Sequence, residues 1–355
     1  MEKPIAITLG DPAGIGPEII AKAFRDAAEL TRACFVAGDV ETMRRAARWV
    51  VEEGQAGMPI AVLSAPSDVW MVPPRCIPVL QVGRSDAPVA VGRISAQAGE
   101  LAARCVVWAA NAALRGEIAA LVTAPLHKEA LAAAGPPHSS FPGHTEMLQA
   151  QAAAFLGKPV PELPVRMMLA NDELRTVLVS IHVSLRAAIA AVTAENVYQT
   201  LRITHEALSA LLGHTPRIAV AGLNPHAGEG GLFGGEEIEF IAPAVSLANA
   251  HGMDICGPLA PDTVFMRARA AQGQRGEFDV VVAMYHDQGL IPVKYLGLEK
   301  GVNVTLGLPL VRTSPDHGTA FDIAGSGRAD PSSLKEAIRM AKRMLCGAPA
   351  WRDPR

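Results

Sequence analysis

The sequence predicts an α/β protein built as two domains. Short apolar runs of strand length alternate with Ala-rich stretches of helix length along the chain, the signature of a sheet with helices on both faces. Half of the residues are hydrophobic, ample for a buried core. The 355 residues amount to two domains at roughly 100–200 residues each.

The elements follow in order. Residues 5–9 form a buried first strand, and 17–28 the helix after it, with Pro17 near its start, where a missing N–H does no harm. Residues 33–37 are a second strand. The stretch 55–81 is rich in Pro and weak in periodicity, and reads as surface loops with an edge hairpin. Residues 93–115 are a long helix and 119–123 a strand. A short helix, 126–134, stops at Gly135-Pro136-Pro137. Beyond it, strands are expected at 175–180, 217–221 and 280–283, and helices from about 147, at 194–212 and at 236–251. The helix 332–346 closes the chain, with a Ser cap and a basic last turn. Ligands of such sheets bind beyond the C-terminal ends of strands.

Composition excludes several classes. A formal net charge of −3 leaves no nucleic-acid or anionic-membrane footprint. No apolar run reaches the roughly 18 residues of a membrane helix, and the first residues lack a signal-peptide pattern, so a cytoplasmic location is expected. The five cysteines, Cys34, Cys76, Cys105, Cys256 and Cys346, are scattered and never at CxxC spacing, which reads as buried thiols rather than a disulfide or zinc framework.

Five segments carry candidate chemistry. GDPAGIGPE (10–18) is a glycine turn between strand and helix; its spacing is neither GxGxxG nor a Walker loop. In PGHTE (142–146), His144 and Thr145 precede a helix and serve either as its cap or as ligand contacts. Lys128, just beyond the strand that ends in TAP, is a candidate anion contact. His182, His226 and His286 each follow a strand. Three neutral imidazoles gathered at one sheet rim suit a divalent metal, although no local signature such as HExxH accompanies them. Asp287 is either an orienting partner for His286 or a surface carboxylate. Lys294, Asn303 and Arg312 recur at intervals of nine beside apolar runs; the two cations either bind phosphate or carboxylate or are solvated. DHGTAFDIAGSG (316–327) is a Gly-rich loop that either holds a nucleotide or only leads into the last helix. His205, His214 and His251 read as ordinary surface or packing residues, and Asp262 as a structural carboxylate with a reserve role as base.

Together these segments, with TAPLHKEAL (123–131), NPHAGEGGLFG (224–234), GPLAPDTVF (257–265), AMYHDQGLIPVKY (283–295) and GVNVTLGLPLVRTS (301–314), resemble the 4-hydroxythreonine-4-phosphate dehydrogenase family from residue 5 to about 345. The resemblance extends to the 4-phospho-D-threonate and phospho-D-erythronate dehydrogenases; Ser95-Ala96-Gln97-Ala98-Gly99, Leu290-Ile291-Pro292 and Phe321 look closer to that group. It implies two α/β/α domains with a central cleft, similar to isocitrate and isopropylmalate dehydrogenases. It also implies a homodimer with shared active sites. The domains expected are 1–135 with 305–355 for the cofactor, and 136–304 for metal, substrate and dimerisation.

Carried over by motif, His182, His226 and His286 are the metal ligands, for zinc, magnesium, cobalt or manganese. His144, Thr145, Lys294, Asn303 and Arg312 bind substrate, with His144 and Lys294 nearest the chemistry. His317, Gly318, Thr319, Ala320 and Asp322 contact NAD or NADP. The implied reaction is oxidation of 4-phosphooxy-L-threonine at C3 to a 3-keto acid that decarboxylates, in pyridoxal phosphate biosynthesis. A non-catalytic protein binding a phosphorylated metabolite is the rival from another class, and an acyl or phosphate transferase a third.

Overall fold

The computed structural model describes residues 2–51, 57–83, 87–270, 273–297 and 300–347. Residues 55 and 56 of the expected loop region, and 348–355 of the expected first domain, lie outside them. The chain forms two compact units: Met1–Pro164 with Leu308–Leu345, and Val165–Gly307 with the C-terminal residues from Cys346. Residues 136–164, grouped by the sequence with the second domain, thus fall in the first unit.

The first unit begins with β1 (Ile5–Thr8), α1 (Gly16–Asp26), α2 (Ala28–Thr31), β2 (Cys34–Gly38) and α3 (Val40–Trp49). Then come β3 (Ile60–Leu63), β4 (Ile77–Gln81), α4 (Ala96–Leu114), β5 (Ala120–Thr123), α5 (Lys128–Ala133) and α6 (His144–Phe155). The second unit holds β6 (Arg166–Ala170), β7 (Arg175–Leu178), α7 (Leu185–Ala190), α8 (Ala194–Leu212), β8 (Arg217–Ala221) and α9 (Ala242–Ala250). It continues through β9 (Asp254–Leu259), α10 (Val264–Ala268), β10 (Val280–Ala283), α11 (His286–Tyr295) and β11 (Val302–Leu306). The chain returns to the first unit with β12 (Val311–Pro315) and α12 (Ser332–Gly347).

The strands of the first unit run in the order β3-β4-β2-β1-β5-β12, all parallel. β1, β2 and β5 are buried at every position, as strands covered on both faces must be. The expected edge hairpin is corrected here. β3 and β4 pair in parallel, Ile60 opposite Ile77, and a parallel pair needs a crossover rather than a tight turn; the segment Pro66–Met71 supplies part of it. α3, missed in the sequence, is capped by Asp39, which accepts from the Thr42 N–H at 2.8 Å.

The direction of winding reverses between β1 and β5, and such a switch point opens a crevice at the strand ends. α1 braces it from one side. Lys22 donates to the carbonyls of Gly327 and Ala329 at 2.7 and 2.6 Å, and Glu18 accepts from the Ala329 N–H at 2.7 Å. The DHGTAFDIAGSG loop is thereby pinned at its far end.

The second unit has a mixed sheet, β11-β6-β7-β10-β8-β9. β11 and β6 are antiparallel, as are β6 and β7; the others run parallel. Asn171 makes the β6–β7 turn, its side-chain oxygen accepting from the N–H groups of Glu173 and Leu174 at 2.8 Å. The expected helix 236–251 begins with a wider π turn at Glu237–Ile241 before α9 proper. In α12 no basic residue occupies the last turn, because the helix runs on to Gly347.

α4 packs on α5 through Gly99, where a Cβ would lie 2.0 Å from the Ala130 carbonyl oxygen. Backbone cannot yield as a side chain can. Gly99→Ala is therefore expected to destabilise the chain by about 1–3 kcal/mol, the usual cost of overpacking. The urea midpoint checks this; an unchanged midpoint would mean that α5 moves away freely.

Candidate functional site

Three strand ends build the site in the first unit. β1 runs into Gly10-Asp11, β5 into Ala124-Pro125, and β12 carries Arg312. The Asp11 N–H donates to the Pro125 carbonyl at 2.8 Å. Gly10 has a φ of +70°, and a Cβ there would lie 2.5 Å from that same oxygen, so the approach requires glycine.

Arg312 is 3% exposed. Its Nε and Nη2 donate to the Thr123 hydroxyl at 3.1 and 2.8 Å. Burial lowers its pKa to about 10, opposed by the Glu146 carboxylate, and the guanidinium remains charged at neutral pH. His144 opens α6, with Gly143 at the cap position. The helix thus starts earlier than the expected position 147, and neither His144 nor Thr145 is its cap. The His144 ring bonds the Ala124 backbone. Its Nε2 is buried with no hydrogen-bond partner, so the bond to the carbonyl runs from Nδ1–H. Burial, and then the nearby Arg312 cation, hold His144 well below the ordinary imidazole range. The site therefore combines a fixed cation and a helix N-terminus, which suit an anionic group, with a neutral imidazole whose free lone pair accepts from a donor.

Beside it lie residues that sequence reasoning missed. Asp11 is fully buried; its Oδ1 accepts from the Ala13 N–H at 2.8 Å, while Oδ2 has no hydrogen-bond partner. Burial pushes its carboxyl up to about 6, against the pull of the Ala13 N–H and of His127. The His127 ring stacks on Phe321, centroids 4.8 Å apart. Asp11 and His127 both stood in quoted motifs, but nothing in the sequence announces the burial of Asp11 or the stacking of His127. Lys128, on the exposed start of α5, stands outside this cluster.

The loop 316–327 closes over the glycine turn. Thr319 accepts from the Ile15 N–H at 2.9 Å, and a Cβ on Gly14 would lie 2.8 Å from that carbonyl oxygen. Of the expected cofactor contacts, Thr319 is buried, His317 and Ala320 are half-buried, and Gly318 and Asp322 are exposed.

In the second unit, the three histidines leave adjacent parallel strands, β7, β10 and β8. The His182 and His286 rings lie 5.8 Å apart, centroid to centroid. They line an open cavity of about 430 Å³ with Ile181, Val183, Leu185 and Tyr285. Asp287 Oδ1 is 2.6 Å from His286 Nδ1, which favours the tautomer with its Nε2 lone pair free. His226 sits on another loop, against Phe233. Among the described residues, no group of three or more His, Cys, Asp or Glu converges as a metal site.

The His226 loop is unusual backbone. His226, Ala227, Gly228, Glu229 and Gly230 all have φ between 43° and 79°. For the three non-glycines this left-handed conformation costs roughly 1–2 kcal/mol each. Such local cost marks functional segments when surrounding structure holds it in place.

Lys294 and Asn303 also lie in the second unit, both half-buried. Lys294 is in the last turn of α11 and Asn303 pairs with Leu169 in β11. Only Asn303 and Arg312 are therefore on strands, and the interval of nine is no repeat. Asp262 is exposed, before α10.

Comparison with known proteins follows the same lines. The family model described as "Pyridoxal phosphate biosynthetic protein PdxA" matches residues 30–341. The chain is 50% identical to 4-hydroxythreonine-4-phosphate dehydrogenase from Beijerinckia indica, over 98% of this chain and 97% of that one. It is 42% identical to D-threonate 4-phosphate dehydrogenase from Pectobacterium atrosepticum, over 97% of this chain and all of that one. The crystal structure of 4-hydroxythreonine-4-phosphate dehydrogenase from Klebsiella pneumoniae superposes with a TM-score of 0.82 at 40% identity, covering 97% of this chain and all of that one.

The Asp11 carboxyl generates a prediction about stability. Its folded pKa lies above the ordinary 3.8, so its contribution is fully present below pH 3.8 and is lost as pH rises through about 6. At neutral pH the ionised group costs the fold about 3 kcal/mol. Asp11→Asn keeps the acceptor for Ala13 and removes that cost. The variant is expected to be more stable than the wild type at pH 7.5, with the difference vanishing near pH 4. Denaturant titrations at the two pH values decide; parallel pH dependences would refute it.

Proposed function

We propose that this chain, which belongs to the PdxA family of pyridoxal phosphate biosynthetic proteins, oxidises 4-phosphooxy-L-threonine at C3 with NAD or NADP. The 3-keto acid so formed loses CO2 to give 3-amino-2-oxopropyl phosphate. Family membership and named relatives make the chain a dehydrogenase, and a nicotinamide cofactor is the hydride acceptor this reading assigns to it. The observation that carries the reading is the buried Arg312 beside His144 at the N-terminus of α6, a site suited to an anionic ligand.

In this reading Arg312, Lys294 and Asn303 are substrate contacts, the two cations serving anionic groups. Thr145 adds a hydrogen bond. His144, neutral and with Nε2 free, accepts a proton or hydrogen bond from the bound substrate. Loop residues His317 to Ala320 and Asp322 face the nicotinamide cofactor, which takes the hydride.

His182, His226 and His286 are the proposed donors for a divalent ion, whether zinc, magnesium, cobalt or manganese. When bound, such an ion supplies Lewis-acid polarisation at the C3 oxygen. The 5.8 Å spacing of His182 and His286 and the Asp287 partner suit two donors of one set. The set is completed in a homodimer with shared sites. Exposed apolar side chains near the histidine loops, Val183, Leu185, Leu232, Phe233, Ile291 and Tyr295, support a face covered by a second copy. No helix among the described residues is long and apolar enough to cross a membrane, in keeping with the proposed cytoplasmic setting.

A second reading, oxidation of 4-phospho-D-threonate, is favoured by D-threonate 4-phosphate dehydrogenases at 42–45% identity. Following NADH absorbance with both substrates side by side separates the two. Turnover of 4-phosphooxy-L-threonine is expected. Turnover of the threonate alone would establish the second reading, and turnover of neither would remove both.

Arg312→Ala is expected to raise KM about 10–100-fold, the worth of a charge-assisted hydrogen bond, with the fold retained. Loss of the folded state instead would make Arg312 a structural cation. His226→Ala should abolish the part of turnover that chelator treatment removes and Co2+ restores. Full activity in chelator would sink the metal assignment.

A further inference from the structure

The left-handed turn around His226 is wound on a single buried side chain. Glu237 is 3% exposed and sits in the π turn before α9. Its Oε1 accepts from the N–H groups of Leu223 and Asn224, both at 2.7 Å. Its Oε2 accepts from the Asn224 side-chain amide at 3.0 Å. The loop closes on the carboxylate from the far side as well: a Cβ on Gly228 would lie 2.7 Å from Oε2, and one on Gly222 3.1 Å from Oε1.

The same loop base is tied to the segment that carries His286. Gln288 donates from Nε2 to the Gly222 carbonyl at 2.7 Å and accepts at Oε1 from the Met284 N–H at 2.7 Å. Ser180, two residues before His182, donates to the Met284 carbonyl at 2.9 Å. A continuous hydrogen-bonded chain thus joins the three loops that carry the histidines.

We propose that Glu237 is a positioning residue for His226: its carboxylate is the core on which the turn winds, and it holds the imidazole in the orientation from which it donates to a metal ion. The inference rests on the reading of His226 as a metal donor. It adds a residue that acts through the backbone of the turn and the Asn224 side chain. Without the carboxylate, the Leu223 and Asn224 N–H groups lose their acceptor, leaving such bonds as the Asn224–Glu236 side-chain bond and the backbone bonds from Ala227 to Asn224 and Phe233 to Gly228 to hold three non-glycine residues in left-handed conformation. The turn then relaxes and His226 leaves its place.

Metal affinity tests this without reference to turnover. The full-length protein, freed of metal, is titrated with Co2+ alone, followed by calorimetry and by the visible absorption of the bound ion. Glu237→Ala is expected to weaken Co2+ binding about 10–100-fold, as loss of an outer partner does, and to alter the spectrum. Glu237→Gln keeps an acceptor for the two backbone N–H groups but turns an amide donor towards Asn224, so it should fall between Glu237→Ala and the wild type; it bears the test if Glu237→Ala fails to fold. Gly99→Ala, destabilised in the other unit, should bind Co2+ as the wild type does, which separates positioning from general loss of stability. If His226→Ala weakens Co2+ binding while both Glu237 variants bind normally, the positioning role is overturned and the metal reading stands. If His226→Ala also binds normally, both are overturned.

Discussion

The close approach of two backbone segments at the ends of β1 and β5 is the constraint on which the first unit depends. Parallel strands that wind outward in opposite directions must part there. The Gly10 turn and Ala124-Pro125 occupy that parting at a separation no Cβ permits. Everything polar nearby follows from it. Asp11 is drawn under the turn, His127 and His144 leave the same short segment or bond to it, and Arg312 reaches Thr123 from β12. The DHGTAFDIAGSG loop lies on the glycine turn and is fixed at its other end by Glu18 and Lys22. A tight backbone contact thus becomes a cluster of polar groups, in which Asp11 Oδ2, His127 Nδ1 and His144 Nε2 are buried without a hydrogen-bond partner, the kind of exception that calls for an explanation.

The two units solve the problem of positioning in different ways. In the first, the cost is electrostatic: a carboxyl raised towards neutral pH, a guanidinium lowered, an imidazole kept uncharged, all by burial. In the second, the cost is conformational, in the left-handed run from His226 to Gly230. Three bonds to the Glu237 carboxylate, at about 1.5–3 kcal/mol each for hydrogen bonds to a charged group, are of the right size to offset it. Neither cost serves the core, and both fall beside the residues proposed for chemistry. Buried charge suits a site that must attract an anion. A rigid backbone suits donors whose direction matters more than their charge.

Much of this architecture was legible in the sequence, and the omissions have physical reasons. The alternation of strand and helix stood out because the parallel strands are buried on both faces: Val280–Ala283 and Ala194–Leu212 fall where the pattern puts them. β6 and β9 did not stand out, since Met-rich RMMLA and Gly-Pro-containing DICGPL lack a strand's usual composition. The hairpin at 55–81 was misjudged because pairing direction depends on the crossover, which composition does not encode. The histidines were legible as strand-end residues. Glu237 was not: it looks like any acid in a helix, and its partners lie thirteen and fourteen positions earlier. Asp11 was hidden likewise, its neighbours Pro125 and His127 lying more than a hundred positions along the chain.

The two candidate substrates bear on what remains to be assigned. 4-Phosphooxy-L-threonine and 4-phospho-D-threonate both carry a phosphate, a carboxylate and a hydroxyl at C3. Relatives named for each of the two substrates match this chain over nearly its whole length. The two molecules part at C2, where one bears an ammonium and the other a hydroxyl. An ammonium offers donors only and carries charge; a hydroxyl both donates and accepts. A residue that selects the ammonium must therefore face C2 and accept hydrogen bonds there without donating, preferably as an anion, whereas one that donates there selects the hydroxyl. Selection of the ammonium would thus fall to a carboxylate or carbonyl, and selection of the hydroxyl to a donor such as an amide or a cation.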